Sequence, residues 1–245
     1  MKVDIQGKVA LVTGANRGIG KAIVESFIAH GARKIYAAVR NIDSAAGLVE
    51  AHGDKIVPVY VDLTKAESIN ELAVIASDVQ VVVNNAGVLK QTPLLGSEIE
   101  DALTLELSVN TFGLIRVAKA FAPVLEKNGH SALVQLNSVA SIKNFVDLTS
   151  YSASKAAAYS VTQGLKETFK PRGIAVLSVH PGPIATDMSD QAGFGEVAEP
   201  TSLVSEGIVN ALKAGSFHLF PDSVAKEFES AYQSYAENVI EAEAV

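Results

Sequence analysis

Tyr151 and Lys155 are the pair of residues in this chain with the most chemistry to offer. At positions i and i+4 of a helix they share one face. A free phenol titrates near pKa ~10, too high for ready proton exchange at neutral pH. A neighbouring ammonium favours the phenolate and lowers that value. Such a tyrosine can give a proton to a carbonyl oxygen as hydride reaches the carbon, or take one in reverse. Ser138, thirteen residues earlier, closes an apolar run and can donate to the same oxygen, stabilising the charge that develops there. Ser141 competes for that role but lies further from the end of the run. Alone, Tyr-x-x-x-Lys reads equally well as a surface pair, because helices contain it by chance.

A second constellation lies near the N-terminus. The buried-looking run Val9-Ala10-Leu11-Val12-Thr13 passes directly into Gly14-Ala15-Asn16-Arg17-Gly18-Ile19-Gly20. Gly14 suits a tight turn, Gly18 a close approach of backbone to a pyrophosphate, and Gly20 close packing of helix on strand. The helix that follows offers free N–H groups and a partial positive charge to a phosphate. The spacing is G-x-x-x-G-x-G rather than G-x-G-x-x-G, and an ordinary strand-to-helix turn is the competing explanation.

The elements that must position these residues alternate along the chain. Strands are expected at 9–13, 34–39, 56–61, 79–83, 132–136 and 174–179, with a short seventh at 218–220. Helical patterns cover 21–30, 68–76, 98–122, 152–169 and, as an amphipathic tail, 224–240. Alternating βα units imply right-handed crossovers and a doubly wound parallel sheet. No linker or repeat interrupts them, so residues 1–245 are expected to form one α/β domain. Ligands of such sheets bind beyond the carboxyl ends of the strands, where every motif above falls.

Further blocks follow in order: Asp62-Leu63, Asn84-Asn85-Ala86-Gly87, Asn110, Ser138, Tyr151-x-x-x-Lys155 and Pro181-Gly182. With the altered glycine spacing, this series resembles the short-chain dehydrogenase/reductase family in its classical branch, over nearly the whole chain. The resemblance implies a Rossmann-type sheet of about seven strands. It implies Asp62 and Leu63 near an adenine, and Asn85, Ala86 and Gly87 along the cofactor wall. It gives Lys155 a second task on the nicotinamide ribose, and Asn110 a water that links Lys155 to solvent. Pro181, Gly182, Ile184 and Thr186 are expected over the nicotinamide, and 187–200 as a loop covering the substrate. Leu89, Val139, Phe145, Val146 and Phe194 are candidates for an apolar pocket wall.

Charge bears on which nicotinamide dinucleotide is used. An NAD site places a carboxylate about 20 residues past the glycines, on the ribose 2′-hydroxyl. Here the second strand ends Ala37-Ala38-Val39-Arg40, and Arg17 lies inside the glycine loop. Two guanidinium groups can grip a 2′-phosphate. Basic residues at these two places go with NADP in the family. The expected cofactor is therefore NADPH/NADP+ rather than NADH/NAD+, with Asp43 just beyond as the counter-indication.

Composition narrows the remaining classes. The net charge of −7 without a basic stripe argues against nucleic acid and against an anionic membrane surface. No apolar stretch reaches the ~18 residues of a membrane helix. Residues 1–8 are charged, so no signal peptide is expected. The absence of cysteine excludes disulfides and thiolate chemistry and fits a reducing cytoplasm. No His/Asp/Glu group has metal-ligand spacing. His180 reads as a structural residue at a strand end. Glu98, Glu100 and Asp101 read as an acidic first turn, and Lys166, Lys170 and Arg172 as a solvated basic group.

The leading expectation is an NADPH-dependent carbonyl reductase or alcohol dehydrogenase acting on a small ketone or aldehyde. A 3-oxoacyl-carrier-protein reductase is the alternative, disfavoured by the scarcity of basic surface for an acidic carrier. A non-catalytic NADP sensor stands further off, since it could dispense with Tyr151 or Lys155. Family habit implies a homodimer or homotetramer using the helices near 98–122 and 151–169.

Overall fold

Seven short β-branched runs form one parallel sheet in the computed structural model, which describes residues 1–241. The strands are β1 Val9–Thr13, β2 Lys34–Val39, β3 Ile56–Tyr60, β4 Val81–Asn84, β5 Ser131–Leu136, β6 Ile174–Val179 and β7 His218–Leu219. Their order is β3-β2-β1-β4-β5-β6-β7, and each neighbouring pair is parallel. This is the Rossmann-type α/β sheet expected from the sequence. The order reverses between β1 and β4, which opens a crevice at their carboxyl ends.

Strand alternation explains the uninterrupted apolar runs. Ala10 and Val12 of β1 point to one face, with Ile35 and Ala37 of β2. There they meet α1 (Gly18–Ala29), α2 (Ala46–His52) and α8 (Thr201–Ala214) through Ile23, Phe27, Leu48, Val204 and Ile208. Val9 and Leu11 point to the other face. That face packs on α3 (Ala66–Ile75), α5 (Gly113–Asn128) and α6 (Thr149–Phe169) through Ile69, Leu72, Phe121, Leu125 and Ala158. Each such fully buried Leu, Ile or Phe contributes about 1.5–3 kcal/mol by leaving water. Among the described residues no helix is long and apolar enough to cross a membrane.

Several boundaries differ from the expectations. The 98–122 helix is three segments in series: α4 (Ile99–Glu106), a π-helical stretch Leu107–Phe112, and α5, which runs through Pro123 to Asn128. Pro123 and Lys119 are both exposed, so water can satisfy the carbonyl that the proline frees. The buried stripe Leu114, Val117, Phe121, Leu125 carries the helix past it. The 187–200 segment is not all loop. It contains α7 (Asp187–Gln191), N-capped by the Thr186 hydroxyl, which accepts from Ser189 N–H. Helices α2 and α8 lie where no element was expected. The tail is α9 (Ser223–Tyr235) followed by a π-helical turn Ala236–Ile240, and the final residues 242–245 lie outside the described ones. Lys166 is less solvated than expected: its ammonium lies 4.8 Å over the Phe217 ring.

Candidate active site

The glycine loop and the Tyr151–Lys155 pair open onto one cavity of about 720 Å³ along the carboxyl ends of the strands. Gly14, Asn16, Arg17, Gly18, Ile19 and Gly20 line one end, with Arg40, Asp62 and Leu63. Asn85, Ala86 and Gly87 form the middle. Ser138, Tyr151, Lys155, Pro181, Gly182, Ile184 and Thr186 line the other end. The expected catalytic and cofactor-binding residues all line this cavity except Asn110, which stands just behind it.

The cofactor end is built for an anion. Helix α1 has no side-chain cap and no acidic residue in its first turn, so its first N–H groups stay free beside the cavity. Gly18 adopts φ +53, a conformation other residues rarely take, and presses against Thr186. A Cβ on Gly20 would collide with the Gly14 carbonyl oxygen and come within 2.6 Å of Asn85 Nδ2. Asn85 holds this turn in place: its amide donates to Thr13 O at 2.9 Å and to Gly14 O at 3.3 Å. The Thr13 hydroxyl in turn accepts from Asn85 N–H and Ala86 N–H, each at 3.0 Å. The ends of β1 and β4 are thus stitched together at the crevice. These features fit a dinucleotide pyrophosphate.

Arg17 and Arg40 both line this end and both are exposed. Arg17 donates to Asp187 at 2.7 Å, which ties the glycine loop to the start of α7. Asp62 accepts from the Thr64 hydroxyl and N–H at 2.7 and 2.9 Å. Those bonds, with Lys65 and Arg40 nearby, hold its carboxyl below the usual range. Asn41 and Ser44 also line the cavity. Sequence reasoning stopped at Arg40, although any polar residue just past the end of β2 falls on this rim.

At the opposite end, Tyr151 and Lys155 are buried on one face of α6. The Lys155 ammonium donates to Leu136 O at 2.8 Å and lies 5.6 Å from the Tyr151 ring centroid. Burial lowers Lys155 to about 8. Burial also pushes the Tyr151 phenol well above its ordinary value; the Ser138 hydroxyl opposes that shift and the Glu106 carboxylate adds to it. In the protein alone the phenol is therefore firmly protonated, a proton donor in waiting. Forming the phenolate takes positive charge in addition to that of Lys155, such as an oxidised nicotinamide ring carries.

The Asn110 side chain is bonded on all sides within the fold. Its amide donates to Val88 O and Ser154 Oγ, and its oxygen accepts from Val88 N–H, all at 2.9 Å. A Cβ on Gly87 would lie 3.1 Å from that oxygen and 3.7 Å from Lys155 Nζ, so the three groups are adjacent. Both amide hydrogens are taken, so the side chain fastens the loop after β4. Glu106, which the sequence did not single out, does the same one helical turn earlier by accepting from Lys90 N–H at 2.7 Å. Burial raises its pKa.

The pocket wall next to Tyr151 contains Leu89, Val139, Phe145 and Phe194, as expected. Val146 is not part of it: it is 75% exposed, because the short turn Val146–Leu148 sends Leu148 inward instead. Leu105, Val109 and Met188 complete the wall.

Comparison with known proteins agrees with this arrangement. The family model described as short chain dehydrogenase matches residues 8–195. A short chain dehydrogenase of Monascus ruber is 32% identical over 200 residues, covering 77% of this chain and 66% of that protein. A 3-oxoacyl-acyl-carrier-protein reductase of Synechocystis is 31% identical over 193 residues, covering 76% of this chain and 78% of that protein. A short chain dehydrogenase from Burkholderia cenocepacia, solved in complex with NADP, superposes with a TM-score of 0.86 at 32% identity, covering 96% of this chain and 98% of that one. This chain belongs to the short-chain dehydrogenase/reductase family of oxidoreductases.

Proposed function

We propose that the protein is an NADPH-dependent reductase of uncharged ketones or aldehydes, working as one catalytic domain over residues 1–245 in the cytoplasm. The observation that carries this reading is the shared cavity: a glycine-lined anion cradle at one end and the Ser138, Tyr151 and Lys155 cluster at the other. The nicotinamide, when bound, supplies or accepts the hydride. Ser138 and Tyr151 receive the substrate oxygen. Tyr151 hands it a proton in reduction and removes that proton in oxidation. Lys155, charged at neutral pH and fixed on Leu136 O, lowers the cost of the phenolate left behind. Asn110 and Gly87 keep the wall beside Lys155 in place. Arg17 and Arg40 suit a 2′-phosphate, and the NADP complex of the Burkholderia relative supports that choice.

The wall supports the substrate class. Leu89, Val139, Phe145, Leu148 and Phe194 surround the tyrosine, while the charged cavity residues other than Lys155 lie at the cofactor end or at its junction with α7. An apolar substituent is favoured there, and a free carboxylate would lose its hydration without a partner. The expected result is NADPH oxidation, followed at 340 nm, with apolar ketones or aldehydes at rates well above those with NADH. Carrier-linked 3-oxoacyl substrates belong in the same panel. Turnover confined to them would replace this reading with carrier-protein reduction, and NADPH binding with no turnover on any substrate would favour a sensor.

We also propose a homodimer or homotetramer. Phe112, on the π-helical stretch, is 50% exposed, as suits an apolar residue covered by a second copy. Light scattering at micromolar concentration is expected to give twice or four times the chain mass; a monomer refutes this.

A further inference from the structure

Behind Ser138 lies a series of buried polar groups that the chemistry above leaves unused. His180, at the end of β6, is fully buried. Its ring stacks on Phe220 at 5.0 Å and meets the edge of Tyr159 at 4.6 Å. Nδ1 lies 2.9 Å from Ser141 Oγ and 3.3 Å from Ser138 O. Nε2 lies 2.7 Å from Ser178 Oγ.

The direction of each proton follows from its neighbours. The Thr162 hydroxyl donates to Ala158 O at 2.7 Å, so the Asn137 group facing its oxygen at 3.3 Å is the amide nitrogen. The same amide donates to Ser178 Oγ at 2.9 Å. Ser178 therefore gives its own proton to His180 Nε2. That makes Nδ1 the protonated nitrogen, donating to Ser141 Oγ, and Ser141 passes its proton to the Ser138 carbonyl oxygen. From the Asn137 amide through Ser178, His180 and Ser141, the donors run one way and end on the Ser138 carbonyl oxygen.

We infer that His180, in its neutral Nδ1–H form, is a positioning residue: through Ser141 it fixes the Ser138 peptide and so aims the Ser138 hydroxyl into the cavity. The inference rests on the functional reading above, in which that hydroxyl meets the substrate oxygen. Three further bonds make the aim sensitive to this support. The Ser138 hydroxyl accepts from Ala140 N–H at 3.1 Å and donates to Pro181 O at 3.4 Å, and Val139 N–H donates to Pro181 O at 3.0 Å, next to His180. The 138–141 turn is thus held from both sides, by its own hydroxyls and by the 180–181 corner. Burial foremost, then the nearby His218 and Lys155, pulls His180 down to about 3. The ring therefore stays neutral and the proton directions hold through the working range of pH.

Two near-isosteric substitutions separate the ring nitrogens. His180→Asn places an amide nitrogen where Nδ1 stood, whereas His180→Gln reaches the place of Nε2. His180→Asn is expected to keep kcat within about threefold of the wild type. His180→Gln and Ser141→Ala are each expected to lower kcat by roughly 10- to 10²-fold, the scale of a slight misplacement of a reacting group. KM for the ketone and Kd for NADPH, read by fluorescence, should be unchanged, and a retained Tm certifies the fold. In a Ser138→Ala background, followed by its residual rate, His180→Gln should cost nothing more. The inference is overturned if His180→Gln and Ser141→Ala match the wild type, if Asn and Gln are equally damaging, or if the His180→Gln loss multiplies that of Ser138→Ala. Full turnover in Ser138→Ala itself would instead remove the role given to Ser138 in the functional reading, and a wild type inactive on every ketone would remove that reading as a whole.

Discussion

Tyr151→Phe is expected to lower kcat by about 10³-fold while NADPH binds as tightly as before. The substitution removes one oxygen and keeps the ring, which is buried with Ala140 and Leu148 and touched by Leu89, Phe145 and Phe194. Packing is thus preserved, and the loss reports the proton rather than the fold. No other side chain that lines the apolar end of the cavity beside Ser138 and Lys155 can give up a proton in place of the phenol, since the rest of that wall is apolar. Steady-state rates on the best ketone, with NADPH affinity measured on the same preparation, decide the matter. A Phe variant with ordinary turnover would assign the proton to another group. A variant that loses NADPH as well would make Tyr151 structural.

Arg40→Asp carries the second large effect. A charge-assisted hydrogen bond contributes roughly 1.5–3 kcal/mol, and reversing the charge adds repulsion of the 2′-phosphate. The expected fall in kcat/KM for NADPH is ~10²-fold or more, with NADH improved or unchanged. Arg40 is the better position to test than Arg17. Arg17 already has a carboxylate partner in Asp187, whereas among the described residues Arg40 lies within 4 Å of none. Because both guanidinium groups are exposed, added salt should weaken NADPH binding more than NADH binding. An unchanged NADPH/NADH preference in Arg40→Asp would show that the 2′-phosphate is held elsewhere, with Asn41 and Ser44 the next polar groups on that rim.

The site was more legible than the shell around it, for a physical reason. Gly14 to Gly20, Asn85 to Gly87, Ser138 and Pro181 each directly follow an apolar run, and in a parallel sheet all those runs end on one edge. Knowing the strands was enough to place these residues together. Helix α8 is harder to read: Val204, Ile208 and Leu212 repeat with helical spacing, but Gly207, a poor helix former, sits in the middle of the run. That glycine admits the Leu219 side chain, which a Cβ would meet at 3.2 Å, and the gain belongs to tertiary packing rather than local propensity. The π-helical stretch around Asn110 depends on bonds to Val88 and Ser154, far away in sequence. Val146 illustrates the limit for pocket walls: its neighbour Leu148 faces inward, and only the geometry of the turn decides between them. The proton directions that converge on Ser138 join residues from two strand ends and a helix, and no spacing within the chain announces them.

The strand order also governs how the molecule is made. No two neighbouring strands are joined by a hairpin, and the pairing of β1 with β4 closes a loop of roughly 70 residues. Contacts of such long range form slowly and late during folding, leaving apolar strand edges open in the interval. The crevice between β1 and β4 does not exist until that closure is complete, so an incomplete chain emerging from synthesis has nowhere to dock a dinucleotide. Any dinucleotide captured afterwards adds RT ln(1 + [L]/Kd) to the native state alone. The cell's cofactor pool then acts on this chain twice, as reagent for turnover and as the weight that keeps the finished sheet closed.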